Sequence, residues 1–210
     1  MPAMTRTRRV PRARRRRPGS LKIEILVDCR RWSRRHRARA LLRRAVAEAA
    51  RALATGTGEL AIVLTDDSNI RALNRQWRRK NAPTNVLSFP TAYRRRSSLL
   101  AKNRSSAGKR DWRSVGAAPV KSISYGKTAA VPLLGDIVIA YETAAREARA
   151  ERKPFAHHLA HLAVHGFLHL AGYDHATQRQ AQAMEKMEAA ILSRLDVPDP
   201  YTGKVPRCDI

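Results

Sequence analysis

Three histidines are spaced so that they could bind one metal ion, and they lie in the stretch HGFLHLAGYDH, residues 165–175. Residues four apart lie on the same face of a helix, so His165 and His169 can direct ring nitrogens at one point. Gly172 can adopt a positive φ and end the helix, which lets His175 approach from another direction. Three neutral ligands with an open fourth position are typical of a catalytic zinc site, whereas structural zinc sites usually have four protein ligands.

A single histidine on an apolar helix face is more often a core residue than a ligand, but three at this spacing favour metal binding. The spacing H-x3-H-x2-G-x2-H is also that of the metzincin proteases, in which the residue after the first His is the general-base Glu. Gly166 occupies that position here. The sequence therefore predicts the three metal ligands but not the general base of a protease. The general base is not assigned: metal-bound hydroxide, His161 and a distant acid are the alternatives.

Two motifs together resemble those of one enzyme family. The histidine stretch has the form H-G-x-L-H-L-x-G-Y-D-H, and residues 74–90 read NRQWRRKNAPTNVLSFP. In this order they resemble the YbeY family of bacterial endoribonucleases of ribosomal RNA maturation. The resemblance covers about residues 22–201, apart from an insert.

The resemblance implies a zinc-dependent, single-strand-specific endoribonuclease with one Zn²⁺ per chain. It implies action in rRNA processing, including maturation of the 3′ end of 16S rRNA, and in ribosome quality control. The expected partners are ribosomal RNA, its precursor and the ribosomal subunit, and the expected location is the bacterial cytoplasm.

The resemblance also suggests further site residues. Arg78 follows the aromatic Trp77, as does the family's active-site Arg, and a guanidinium can hold two phosphate oxygens and oppose charge that develops in the transition state. The family often has Asp where this chain has Asn81. Three further residues could orient the ring of a metal-binding histidine or face the substrate: His161, Asp136 and Asp174. A purely structural role is the alternative for each of them. His157 and His158 are expected to be partly exposed.

The charge of the chain indicates a polyanionic partner. The net charge is +25, from 42 Lys plus Arg against 17 Asp plus Glu. Residues 1–20 carry eight arginines and no acid, and residues 94–130 carry ten basic residues and one acid. Both segments are expected to be disordered and to attract phosphates, and residues 202–210 are expected to form a short tail. The basic residues at the start of the insert are candidates for nucleic-acid binding: Arg94, Arg95 and Arg96.

The sequence has few features that indicate a cellular compartment. The N-terminal segment has no apolar run typical of a secretory signal, and an organellar transit peptide is the alternative reading of its arginines. No stretch of eighteen apolar residues predicts a membrane span, so no membrane partner is expected. Cys29 and Cys208 form no metal or disulfide pattern, which favours a reducing compartment.

Strands and helices alternate along the rest of the chain, which predicts a single α/β (α+β) domain over residues 21–201. We expect one sheet of about four strands and about five helices, with the metal-binding helix packed on the sheet. The strands are predicted at residues 22–28, 59–66, 86–89 and 133–140, and the helices at 37–54, 69–77, 141–151, 154–171 and 176–195. Asp67 or Ser68 is expected to cap the second helix, and Arg78 to lie in the loop after it.

Two rival functions remain open at this level. A metal-dependent peptidase would keep the three histidines, but it would lack its Glu and gain nothing from two basic segments. A non-catalytic ribosome assembly factor with a structural metal would need the same basic surface as an endoribonuclease. The sequence alone does not separate this second rival from an enzyme.

Overall fold

A computed structural model describes residues 21–55, 57–91 and 133–202. The predicted basic segments, residues 1–20 and 94–130, and residues 203–210 of the predicted tail lie outside these ranges. Arg94, Arg95 and Arg96 lie outside them as well.

Four strands form one mixed sheet, as predicted. They are β1 (Leu21–Val27), β2 (Gly58–Thr65), β3 (Val86–Pro90) and β4 (Leu133–Ala140). The order across the sheet is β1-β2-β4-β3, with β1, β2 and β4 parallel and β3 antiparallel to β4 at the edge. β2 and β4 are almost wholly buried, because helices cover both faces of the sheet.

The described residues contain six helices, one more than expected. They are α1 (Arg30–Ser33), α2 (Ala38–Ala52), α3 (Asp67–Arg78), α4 (Tyr141–Ala150), α5 (Phe155–Leu170) and α6 (Gln178–Ser193). The unpredicted helix, α1, is a single turn, too short to show an apolar period. It places Trp32 in the core, where the indole Nε1 donates to the Thr65 carbonyl at 2.9 Å. None of the helices in the described part of the chain is long and apolar enough to cross a membrane.

Alternate residues of the central strands enter two separate cores. Ile62 of β2 and Ile137 of β4 pack with α2, α5 and α6, which form the larger core. Val63 and Val138, on the opposite face, pack with Ile70 of α3. Since successive side chains of a strand point to opposite faces, α5 and α3 lie on opposite sides of the sheet. The prediction that the metal-binding helix packs on the sheet is confirmed.

Two local predictions around α3 are wrong. The N-cap is Asp66, whose carboxylate accepts from the Asn69 N–H at 2.9 Å, and not Asp67 or Ser68. Asp67 is instead bound by the backbone and hydroxyl of Thr143. Arg78 is the last residue of α3 and does not lie in the following loop, because the helix continues until Arg79 takes a left-handed conformation with φ 58°.

Candidate metal centre

The α5 helix brings His165 and His169 to one point. Helix geometry places them one turn apart, and their Nε2 atoms lie 3.1 Å from each other. The ring centroids are 4.6 Å apart. Both side chains are half-buried, on the rim of a helix whose other faces enter the core.

His175 joins the pair from the segment after α5. Gly172 has φ 93°, a left-handed conformation that favours glycine, and it redirects the chain as predicted. The ring of His175 lies 5.7 Å from that of His165 and 5.0 Å from that of His169, centroid to centroid. One ligand atom from each of the three histidines lies within 4.8 Å of the others. The structure therefore brings the three predicted ligands together.

The hydrogen bonds of the first two rings show that this donor set fits a cation. His165 Nδ1 lies 2.7 Å from a Glu188 oxygen, and His169 Nδ1 lies 3.0 Å from the Tyr173 carbonyl oxygen. Both partners are acceptors, so each Nδ1 carries the proton and each Nε2 presents a lone pair in the neutral ring. Two lone pairs facing each other at 3.1 Å repel unless a proton or a metal ion lies between them. Nitrogens at about 2.0–2.1 Å from a tetrahedral zinc would be about 3.4 Å apart, close to this spacing.

The His169 ring is also favoured in its neutral form, which metal binding requires. Burial lowers the pKa of His169 below its usual value, and repulsion from His165 and His175 lowers it further. The hydrogen bond to Tyr173 opposes this effect without reversing it. At neutral pH the His169 ring therefore offers a lone pair.

Glu188 of α6 is the central acid of the site, and the sequence reasoning missed it. Its side chain is fully buried, with one oxygen on His165 and the other 3.0 Å from His161 Nε2. Burial alone would raise its pKa, but hydrogen bonds from His161, His165 and Tyr201 and the electrostatic attraction of His165 lower the pKa to about 2. Glu188 is therefore a carboxylate at neutral pH, and it orients the His165 ring.

A signal for Glu188 was present in the sequence. Glu188 follows Met184 by four residues and precedes Ile191 by three, so it lies in the apolar stripe of α6 where a charge is unexpected. A buried acid needs a partner, and the histidine motif offers ring N–H donors.

His161 is connected to the metal centre through Glu188. It lies one turn before His165, with 6.2 Å between ring centroids, and shares the Glu188 carboxylate with it. The Tyr201 hydroxyl donates to the same carboxylate. Burial and this hydrogen bond raise the pKa of Tyr201, so its phenol stays protonated as a donor. The structure thus places His161 beside Glu188, one helical turn from His165.

Gly166 lets α5 approach the sheet closely. A Cβ at this position would lie 2.9 Å from Ile137 Cγ2 and 3.2 Å from Ser88 Oγ. The Ser88 hydroxyl donates to the Gly166 carbonyl at 3.1 Å, which ties α5 to the edge strand β3. Residue 166 therefore faces the sheet and not the metal centre.

The other predicted site residues are placed differently. Asp174 is exposed, and its carboxylate accepts from the His175 backbone N–H at 2.8 Å, which orders the approach of that ligand. Asp136 shares a strand face with Val138, on the side of the sheet that carries α3, so it is not brought to the histidines. Arg78 is exposed at the end of α3 and forms no hydrogen bond or ion pair with the three histidines.

The expectation for His158 is wrong. Only 4% of this residue is exposed, and its Nε2 lies 3.0 Å from a Glu147 oxygen of α4. The Asn85 side-chain amide donates to the same oxygen at 2.8 Å, so the Glu147 carboxylate joins α4, α5 and the start of β3. Burial would raise the pKa of Glu147, but the hydrogen bonds from His158 and Asn85 lower it below its usual value. His157 is partly exposed, as expected.

Comparison with known proteins identifies relatives across most of the chain. A family model described as Endoribonuclease YbeY matches residues 27–196. Proteins named Endoribonuclease YbeY include one from Rhodopseudomonas palustris, 44% identical over 86% of this chain and 81% of its own length. Another, from Nitrobacter hamburgensis, is 47% identical over 88% of this chain and 84% of its own length. A solution structure of a Thermotoga maritima protein aligns with 88% of this chain and 98% of its own, with 20% identity and a TM-score of 0.43.

Proposed function

The chain belongs to the YbeY family of endoribonucleases, and from this premise we propose that it is a zinc-dependent endoribonuclease specific for single-stranded RNA. Its proposed substrates are ribosomal RNA and its precursor, in 16S rRNA 3′ end maturation and in ribosome quality control on the ribosomal subunit. The bacterial cytoplasm, where these RNAs are made, is the proposed location.

The observation that carries the metal dependence is the pair of Nε2 atoms 3.1 Å apart, each on a ring whose Nδ1 has an acceptor. His165, His169 and His175 would hold the ion. Three neutral nitrogen donors favour zinc over calcium or magnesium, which prefer oxygen ligands. Zinc in such a site supplies Lewis-acid chemistry and lowers the pKa of a coordinated water to about 7.

The chain's own residues keep the ligands in place for that chemistry. The Glu188 carboxylate holds the His165 proton on Nδ1, and the Tyr173 carbonyl holds the His169 proton on Nδ1, so both Nε2 lone pairs stay directed at the same point. Asp174 fixes the backbone of His175. Since the Glu188 charge is shared between His161 and His165, the buried acid is balanced by two donors from α5.

Arg78 is proposed to hold the substrate phosphate. It is exposed and has no carboxylate partner in residues 21–55, 57–91 and 133–202, so its guanidinium is available to an anion. α3 ends beside the edge strand β3, since Trp77 packs on Phe89 with ring centroids 5.7 Å apart. A substrate strand would have to pass this edge to contact both Arg78 and the histidines.

The charge of the chain supports an RNA substrate. The N-terminal segment contributes +8 and the segment 94–130 contributes +9, which leaves +8 on the rest of the chain. Charge of this size gives salt-dependent attraction to phosphate backbones without reading sequence.

The test is to incubate the purified protein with ribosomal RNA precursors and, separately, with casein, each with and without a chelator. We expect cleavage of the RNA alone, lost with chelator and restored by added zinc. Cleavage of casein would assign a peptidase. Ribosomal subunit binding without any cleavage of RNA would assign a non-catalytic assembly factor with a structural metal.

A further inference from the structure

Arginine is concentrated in the segment that forms α1 and α2. Residues 30–51 contain nine arginines and a single acid, Glu48. All nine arginines are exposed, and none of them belongs to the metal centre. The exposed arginines of residues 30–51 are called the arginine surface below.

Most of this charge is not balanced by acids. Three of the nine arginines form ion pairs: Arg31 with Glu142, Arg44 with Asp196 and Arg51 with Glu48. The other six have no carboxylate partner within residues 21–55, 57–91 and 133–202. Two of these six, Arg39 and Arg43, lie four residues apart on α2, a spacing at which like charges destabilise a helix. A bound polyanion would relieve this repulsion.

The α2 helix presents its arginines as a rigid row. Arg37, Arg44 and Arg51 are spaced by seven residues, so they lie on one side of the helix and span about 21 Å along its axis. The exposed residues between them on that side are small, Ala40 and Ala47. The opposite side of α2 enters the larger core and fixes the helix in place. A phosphate backbone can therefore approach the row closely, and each guanidinium can bind two phosphate oxygens.

A cavity of about 250 Å³ opens at one end of the arginine surface, beside the ends of β1 and β2. Its charged lining residues in the described part of the chain are all basic: Arg35, His36 and Arg39. The Arg35 guanidinium is held in place, because its Nη2 donates to the Tyr141 hydroxyl at 3.2 Å and its Cζ lies 4.8 Å from the centre of the Phe155 ring. A fixed guanidinium in a cavity without a lining acid suits an anionic group such as phosphate.

The arginine surface has the features of a backbone reader and not of a base reader. Residues 30–51 expose no Phe, Tyr or Trp, since their one such side chain, Trp32, is 2% exposed. Proteins that hold single strands stack bases on exposed aromatic rings, whereas duplex RNA is recognised by its shape and its phosphates. A membrane is a poorer fit, because helices that lie on lipid turn large apolar residues outward and α2 buries its own.

We propose that the arginine surface binds the phosphate backbone of double-helical RNA, away from the metal centre. The proposal deepens the proposed function and rests on it. Phe155, which contacts Arg35, begins α5, and His165 lies ten residues further, about 15 Å along the helix axis. A folded RNA is then held by its duplex on this surface while an adjoining single strand reaches the histidines.

The test measures binding of a blunt RNA duplex of about 16 base pairs to the full-length, metal-loaded chain. The triple variant Arg34→Gln, Arg37→Gln, Arg39→Gln removes three exposed charges without an acid partner in the described residues, and glutamine is a good helix former. Duplex affinity should fall about tenfold or more at about 0.1 M salt. The slope of log affinity against log salt should fall by about 2–3, close to one for each lost phosphate contact.

A second triple variant is the matched control for net charge. Arg149→Gln, Arg152→Gln, Lys186→Gln removes three exposed charges that lie outside the arginine surface. Its duplex affinity should stay within about threefold of wild type, because long-range attraction alone depends only weakly on three of 42 basic residues. Both triple variants should bind a 2′-O-methylated single strand of the same length within about threefold of wild type.

Chemical modification of arginine locates the contact directly. Phenylglyoxal reacts with accessible guanidinium groups, and mass spectrometry identifies the modified residues. The duplex should protect Arg37 and Arg39 in the wild-type chain and should leave Arg149 reactive.

Three results would overturn the proposal: wild-type duplex affinity in the first triple variant, an equal loss in the control variant, or full reactivity of Arg37 and Arg39 in the complex. Unchanged duplex affinity with lost binding to vesicles that contain phosphatidylserine would assign the surface to an anionic membrane. Thermal unfolding separates lost binding from lost folding. If the triple variant unfolds, Arg37→Gln alone should lower the salt slope by about one. Failure of the enzyme to cut natural RNA would reject the proposed function but would leave these measurements interpretable, because they involve no cleavage.

Discussion

Replacing Glu188 with Gln tests whether the buried carboxylate organises the metal centre. The change keeps the shape of the side chain but removes the charge that accepts hydrogen bonds from His161 and His165. An amide also turns one of the two acceptor oxygens into a donor, which then faces a histidine N–H or the Tyr201 hydroxyl. The buried site therefore loses its charge and one of the two acceptor oxygens that face its donors.

The size of the effect follows from the pKa of Glu188. The fall from 4.5 to about 2 means that the folded protein prefers the carboxylate to the neutral acid. At about 1.4 kcal/mol for each factor of ten, this preference stabilises the fold by about 3 kcal/mol at pH 7. Because the folded pKa is the lower one, the stabilisation is complete above pH 4.5 and is lost as the pH falls toward 2.

Urea unfolding with chelator present measures this stabilisation apart from metal binding. Glu188→Gln should lower the free energy of unfolding by about 3 kcal/mol at pH 7, and its difference from wild type should shrink below pH 4.5. The zinc affinity of the variant should fall about 10–100-fold, because His165 loses its orienting partner. Glu185→Gln, an exposed acid of the same helix, is the control and should change stability by less than about 0.5 kcal/mol. Wild-type stability and zinc affinity in Glu188→Gln would refute this account.

Three further predictions concern the ligands, the basic segments and Arg78. Elemental analysis should find about one zinc per chain, most of it lost in His169→Ala; full retention in a His165→Ala, His169→Ala double variant would place the metal elsewhere. Deletion of residues 1–20 and 94–130 should weaken RNA binding and flatten its salt dependence with metal content intact, and loss of folding would show that the segments are structural. Arg78→Lys should lower the single-turnover cleavage rate about tenfold or more with little change in RNA affinity, because lysine keeps the positive charge but cannot bind two phosphate oxygens at once. A wild-type rate would exclude Arg78 from the reaction.

The clustering of the three histidines could be predicted from sequence because its geometry is local. Helix periodicity alone fixes the relation of His165 to His169, and one glycine suffices to redirect the chain to His175. The strands and the long helices could also be predicted from sequence, because the apolar residues that recur at the strand or helix period are the ones buried in the two cores. The observed helix ends differ from the predicted ones by one or two residues where neighbouring side chains could each serve as the N-cap. At the start of α3, for example, Asp66, Asp67 and Ser68 could all cap the helix.

The carboxylate partners of His158 and His165 could not be predicted in the same way, because they lie on neighbouring helices. Glu188 meets His165 across 23 residues, and Glu147 meets His158 between two helices. In each case a buried or half-buried histidine is paired with an acid on a neighbouring helix. Which acid meets which histidine depends on how the helices pack, and local periodicity does not contain that information.

The glycine at position 166 has a consequence for how this enzyme could change over evolution. A metalloprotease with the same histidine spacing needs Glu at this position, but here a side chain would enter the space of Ile137 and Ser88. A glutamate at position 166 would place its Cβ against Ile137 and Ser88, so both side chains would have to shift to admit it. The packing of α5 on the sheet therefore opposes a glutamate at this position, although the histidine spacing is the same.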